Sequence, residues 1–270
     1  MVTVLRPLST SELLDRTFHL YRNHFVVFVG ITAIPQLFVL ALQLGGAVMV
    51  IERQFIGFGL LAVVAAIASY IAIEIAQAAT VMAVSNFHLE KPVSIGSAYS
   101  LAKGSMGRVI GITFVVGLAI GVATLFLVIP GIYVALMWAL VIPVTVLEGG
   151  GLNASTARSK VLTKGSRGRI FVIYLLVFVL AIVISVIIEM PLGMVGLVLM
   201  RGNPQGGIAA RQAMQAVGNF ISTSLVGSLA TIALTLIYYD QRVRKEGFDL
   251  QLMMSNLQGS PQAAAAAPSA

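Results

Sequence analysis

The chain has 270 residues, 58% of them hydrophobic and only 10% charged, where a soluble domain carries roughly 45–50% and about 25%. That composition excludes an ordinary soluble domain and a disordered chain, and the absence of cysteine excludes disulfides, thiolate catalysis and Cys-ligated metals. The net charge of +7 falls between apolar runs, so it reports membrane topology rather than nucleic-acid binding.

In chain order, Ser9-Thr10-Ser11-Glu12 has capping-box spacing from Ser9 to Glu12. The helix it opens places Leu14, Phe18, Tyr21 and Phe25 on one face, with Glu12, Asp15, Arg16, His19 and Arg22 on the others. The first long apolar run, Phe25 to Ile51, is too long for a signal-peptide core and reads as a retained span. Six segments satisfy the ~20-residue requirement of a transmembrane helix: 25–50, 57–85, 109–129, 132–148, 170–190 and 215–239. The turn Ile129-Pro130-Gly131 is expected to join the third and fourth. Pro35 and Pro143 are expected to kink spans one and four. Residues 191–200 read as a kinked or surface-lying extension of span five, and 201–207 as a loop. The membrane domain covers 1–252, and 253–270 is an Ala/Pro/Ser/Gln tail expected to be disordered.

Fourteen of the 17 Lys and Arg fall on one side of this topology, leaving Arg53, Arg201 and Arg211 on the other. The positive-inside rule then puts both termini in the cytoplasm, with the chain in the cell membrane, inner or plasma. Leu101-Ala102-Lys103-Gly104-Ser105-Met106-Gly107-Arg108 recurs as Leu162-Thr163-Lys164-Gly165-Ser166-Arg167-Gly168-Arg169, with six of eight positions identical. Each copy follows a short helical stretch, with N-caps expected at Ser94 and Asn153, and opens a membrane hairpin. The looser Leu20 to Phe25 corner completes three units, each an interfacial amphipathic helix plus a two-span hairpin. Glycine lets a surface helix turn into the membrane there. Arg22, Lys103, Arg108, Lys164, Arg167 and Arg169 are the candidates for contact with anionic lipid headgroups or phosphate.

Ser11-Glu12-Leu13-Leu14-Asp15-Arg16-Thr17-Phe18-His19-Leu20-Tyr21-Arg22-Asn23-His24-Phe25 resembles the opening of a bacterial membrane-domain family. That family is named after the membrane region fused to some glycerophosphoryl diester phosphodiesterases. Pro130-Gly131-Ile132-Tyr133, Trp138, Pro143, Glu148, Ala157-Arg158-Ser159 and Leu162-Thr163-Lys164-Gly165 fit the same pattern. So does Tyr238-Tyr239-Asp240-Gln241-Arg242-Val243-Arg244-Lys245-Glu246-Gly247-Phe248-Asp249-Leu250, its most specific part. The resemblance covers roughly residues 5–252 and implies a multi-pass module. It does not imply phosphodiesterase activity, because that catalytic domain is a barrel of about 250 residues for which the spans leave no room.

Glu74 lies inside span two with Gln77 one turn along, and a carboxylate there costs about 2.5 kcal/mol or more unless paired, protonated or wetted. Glu148 and Glu189 sit at span ends, and Glu148 is placed to pair with Arg158 or Lys164. Gly117 and Gly121 form a Gly-x-x-x-Gly step expected to pack a neighbouring helix closely. His19, His24 and His88 lack metal-ligand spacing, no triad is recognisable, and no cofactor is implied. Asp240, Arg242, Arg244 and Glu246 form i,i+4 pairs expected to lock the cytoplasmic side. The sequence therefore points to a non-enzymatic scaffold or auxiliary module engaging membrane lipids, with a membrane-protein partner as a further possibility. A small transporter built on Glu74, and after it a lipid-processing enzyme, are the alternatives.

Overall fold

The computed structural model describes residues 8–52, 54–88, 91–200 and 204–247; the tail 253–270, Arg53, Arg201 and Asp249 lie outside them. The described residues form helices α1 (Thr10–Asn23), α2 (Phe25–Ile51), α3 (Phe55–His88), α4 (Ile95–Phe126) and α5 (Val128–Met137). Helices α6 (Val141–Glu148), α7 (Leu152–Thr163), α8 (Arg167–Met200) and α9 (Pro204–Glu246) follow. Six stretches are long and apolar enough to cross a membrane: Phe25–Ile51, Ile56–His88, Ile95–Phe126, Val128–Glu148, Arg167–Leu199 and Gly206–Glu246. The chain is an all-helical, multi-pass membrane protein.

The capping box forms as its spacing requires: the Ser9 hydroxyl accepts from the Glu12 N–H, and the Glu12 carboxylate accepts from the Ser9 N–H. The buried face of α1 is only partly the expected one, although Leu14 and Tyr21 do pack against the core. Leu13 and Thr17 are fully buried, whereas Phe18 and Phe25 are exposed at 42% and 43%. The stripe is rotated by one residue because α1 packs on α9 and Tyr21 donates its hydroxyl to the Leu225 carbonyl of that helix.

Several boundaries also differ from the sequence reading. The α4–α5 reversal occurs at Leu127, in extended conformation, and Pro130 and Gly131 lie inside the first turn of α5. Proline is tolerated there because first-turn N–H groups have no intrahelical acceptor. Gly131 is needed for a different reason, since a Cβ would meet Thr124 Cα at 2.8 Å. Pro35 does not interrupt α2. Pro143 follows a true break, the turn at 138–140, which includes its i−4 neighbour Ala139. Helix α8 continues through Pro191 to Met200, so residues 191–200 are neither a separate piece nor interrupted. Residues 204–207, expected as loop, open α9 with Pro204 at the first helical position.

Helix α9 is the axis of the bundle. Of its apolar window 67% is buried, against 17% for α8 and 11% for α3, whose other faces remain open to lipid. It packs on α8, α2, α3 and α1, and Ile232, Ile237 and Tyr238 meet Phe28, Val81, Leu140 and Ile170 in the main core.

Candidate functional site

The end of the bundle that carries the repeat is organised around Asp240. Its side chain is fully buried and accepts from the Leu8 backbone N–H at 2.7 Å, Arg169 at 2.8 Å and Arg244 at 3.0 Å. One α9 carboxylate thus ties the start of the described chain and the first turn of α8 together. A second network lies beside it. Arg158 on α7 pairs with Glu148 at 2.9 Å and with Glu246, while Arg242 pairs with Glu246 at 3.1 Å. Tyr238 donates to Glu148 at 2.9 Å and accepts from Arg242 at 3.2 Å. Hydrogen bonding to Glu246 first, and to Glu148, holds the Arg158 guanidinium further above its ordinary range, so it stays charged.

The two copies of the repeat adopt different structures. Residues 101–108 run unbroken through α4, so the expected corner at Gly104 is absent. Residues 162–169 do break: Thr163 ends α7 and Gly165 takes φ +80, a conformation open to glycine but strained for other residues. The break is held from α9. Lys245 Nζ donates to the carbonyls of Val161, Leu162 and Lys164 at 2.8, 2.9 and 2.6 Å, and Ser166 donates to Gln241 at 2.9 Å. A lysine on the last carbonyls of a helix satisfies orphan acceptors and complements the dipole. The α7 N-cap is Gly151, not Asn153, whereas Ser94 caps α4 as expected.

Helix α7 is not amphipathic in the expected sense. Beside the fully buried Leu162 runs a stripe of hydroxyl residues, Ser155, Ser159 and Thr163, each also fully buried. Ser159 donates to the Met137 carbonyl at 3.1 Å and accepts from the Leu140 N–H at 3.2 Å, and Thr163 donates to the same carbonyl at 3.1 Å. These hydroxyls satisfy backbone freed at the α5–α6 break, as membrane helices require. Sequence reasoning placed Lys245 in the terminal charge cluster expected against the Lys-Gly-Ser corners, and it missed the roles of Ser159 and Thr163. The legible signal was hydroxyl residues every fourth position, which an apolar-periodicity search passes over.

The six candidate rim cations divide into two groups. Arg108 donates to the Gly149 carbonyl, Arg167 stacks on the Tyr133 ring at 4.5 Å, and Arg169 serves Asp240. Arg22, Lys103 and Lys164 are exposed and make no ion pair among the described residues. Glu148 selects Arg158, and Lys164 stays unpaired. His24 stacks on Phe87 and His88 on Tyr239, at ring separations of 3.7 and 5.1 Å.

Glu74 is buried at 7% exposure, and its Oε2 has no hydrogen-bond partner among the described residues. Near it, Tyr70 donates to the Ile110 carbonyl of α4 at 2.7 Å and lies 2.8 Å from the Thr113 hydroxyl. Gln77 is half-buried and makes no hydrogen bond to Glu74. A transport reading needs a polar cavity that reaches Glu74. A polar cavity among the described residues lies between α2, α3, α8 and α9 and is lined by Glu189, not Glu74. The expected packing at Gly117 and Gly121 is likewise not made: both are exposed, with nothing within 4 Å of an added Cβ. The packed face of α4 at this level is Ile112 and Val116, which turns both glycines outward.

Family models, curated proteins and solved structures were compared with this chain, and none gave a significant match.

Proposed function

We propose that this multi-pass protein is a non-catalytic scaffold that holds anionic lipid headgroups at its basic end. The observation that carries the reading is the division of charge there. Glu148, Asp240 and Glu246 are each engaged by arginines, which leaves none of them as a free acid or base. Arg22, Lys103 and Lys164 stay exposed, free to meet lipid phosphates. Membership of the phosphodiesterase-associated membrane family belongs to the same proposal and is supported by the motif residues alone. So is a cytoplasmic location of this end, supported by the distribution of Lys and Arg.

The test is native mass spectrometry of the protein released from nanodiscs containing phosphatidylglycerol. Each basic residue near an anionic surface contributes about 1 kcal/mol, so changing Arg22, Lys103 and Lys164 together to Gln should weaken retention on the order of a hundredfold. Retention should also fall as salt is raised. Equal retention by the folded triple variant would sink the proposal.

A further inference from the structure

A cleft of about 520 Å³ opens between α2, α3, α8 and α9, at the end of the bundle opposite the basic rim. Its polar wall is Gln43, Ser69, Glu189, Gln212, Gln215 and Asn219. Three of these recur on α9 at spacings of three and four, with Ser222 one further step along, so they form one polar stripe on a membrane helix. Apolar side chains at those positions would close the bundle on itself, whereas this stripe keeps a polar wall on the cleft between four helices.

Glu189 sets the character of the cleft. It lies within the apolar stretch Arg167–Leu199 and is the only ionisable group in the lining. Ser222 donates to its Oε1 at 2.8 Å, and no Lys, Arg or His among the described residues pairs with it. A carboxyl group offers several acceptor sites, and Ser222 is the one donor to it among the described residues. The countercharge must come from what enters. The volume suits an organic ligand rather than a bare ion, and one carboxylate among neutral amides falls short of the oxygen cage a divalent metal takes. Phe58 and Leu61 supply an apolar wall on one side.

We propose that the cleft binds a primary ammonium group, with Glu189 as its countercharge and the amide oxygens of the wall as further acceptors. The ammonium belongs either to a small soluble amine or to an ethanolamine lipid headgroup. The site stands apart from the basic rim, and its occupancy does not depend on lipid bound there.

The experiment uses the full chain, wild type and Glu189→Gln, in phosphatidylglycerol nanodiscs with or without phosphatidylethanolamine. Native mass spectrometry reads the retained ethanolamine lipid, and thermal unfolding in the lipid's absence reads stabilisation by added ethanolamine. Loss of the charge-assisted hydrogen bond should weaken binding by roughly tenfold or more in Glu189→Gln. A variant-sensitive lipid adduct identifies the headgroup as the source, and a variant-sensitive shift with ethanolamine identifies a soluble amine. If neither signal differs between wild type and Glu189→Gln, the proposal is overturned. Gly46→Leu guards against a misfolded Glu189 variant. A Cβ at Gly46 meets Gln212 Nε2 at 3.5 Å and Phe58 at 3.6 Å, both lining residues, so a leucine there narrows the cleft while the Glu189 carboxyl is retained in the sequence. A folded Gly46→Leu protein that binds either ligand as tightly as wild type also overturns it.

Discussion

Asp240 shows how much a single side chain carries in this molecule. Its carboxylate is fully buried and is met by two guanidiniums and one backbone N–H. Breaking a fully buried pair costs about 3–5 kcal/mol, and the cost here is smaller because the Arg244 side chain is 36% exposed and Arg169 19%. Asp240→Ala is therefore expected to lower stability by roughly 2–3 kcal/mol in thermal or denaturant unfolding, and a loss below ~1 kcal/mol would mean that Asp240 does not tie the start of the described chain to α8 and α9. His24 gives a pH dependence. Burial, and then the neighbouring His19, lower its affinity for a proton below the ordinary value near 6.5. The unfolded chain is protonated first as pH falls, so this contribution is full above about 6.5 and is lost as pH drops through the folded value. His24→Phe keeps a ring against Phe87 and should flatten the decline in melting temperature between about pH 7.5 and 5.5. An unchanged decline would assign the effect to other groups.

At the scale of elements, the repeat separates sequence identity from conformation. Gly104 is in mid-helix with open space at its Cβ, whereas Gly165 sits at φ +80. Gly104→Ala should stabilise by about 0.5–1 kcal/mol, because alanine loses less backbone entropy in a helix. Gly165→Ala should destabilise by about 1–2 kcal/mol, because the left-handed conformation crowds a Cβ. Unfolding of the two variants therefore moves in opposite directions, and shifts of equal sign would show that both corners share one geometry. The break at 138–140 obeys similar logic. Proline at 143 cannot donate to Ala139, and the Met137 carbonyl and Leu140 N–H at the break are taken up by Ser159 and Thr163 of α7.

For the whole molecule, the contact of Leu8 with Asp240 places the beginning and end of the described bundle at one end. Gln54 lies in the α2–α3 connection at the other end, and Lys103 lies near the repeat end; both are exposed. The natural chain has no cysteine, so single cysteines at these two positions report topology without background. Membrane-impermeant labelling of right-side-out and inverted vesicles should modify them from opposite sides, with Lys103→Cys reacting from the cytoplasm. Labelling of both from one side would refute the six-span topology. The same layout separates two chemistries, a basic rim at one end and the acid-lined cleft at the other.

The six spans, the capping box at Ser9, the N-cap at Ser94 and the i,i+4 pairs near the end of α9 were legible in the sequence, because each depends on residues within a few turns of one another. Hydropathy reports transfer from water, which is local, and capping needs only neighbouring backbone groups. The rest depended on residues far apart in the chain. The two near-identical octapeptides diverge because Lys245 and Gln241 reach only the second copy, and the rotated face of α1 follows from its seat on α9. Glu74 and Glu189 are both acids in apolar spans, and composition ranks the more central one first. Only helix packing decides which acid faces a cavity, because a side chain's direction is fixed locally while its surroundings are supplied by other helices.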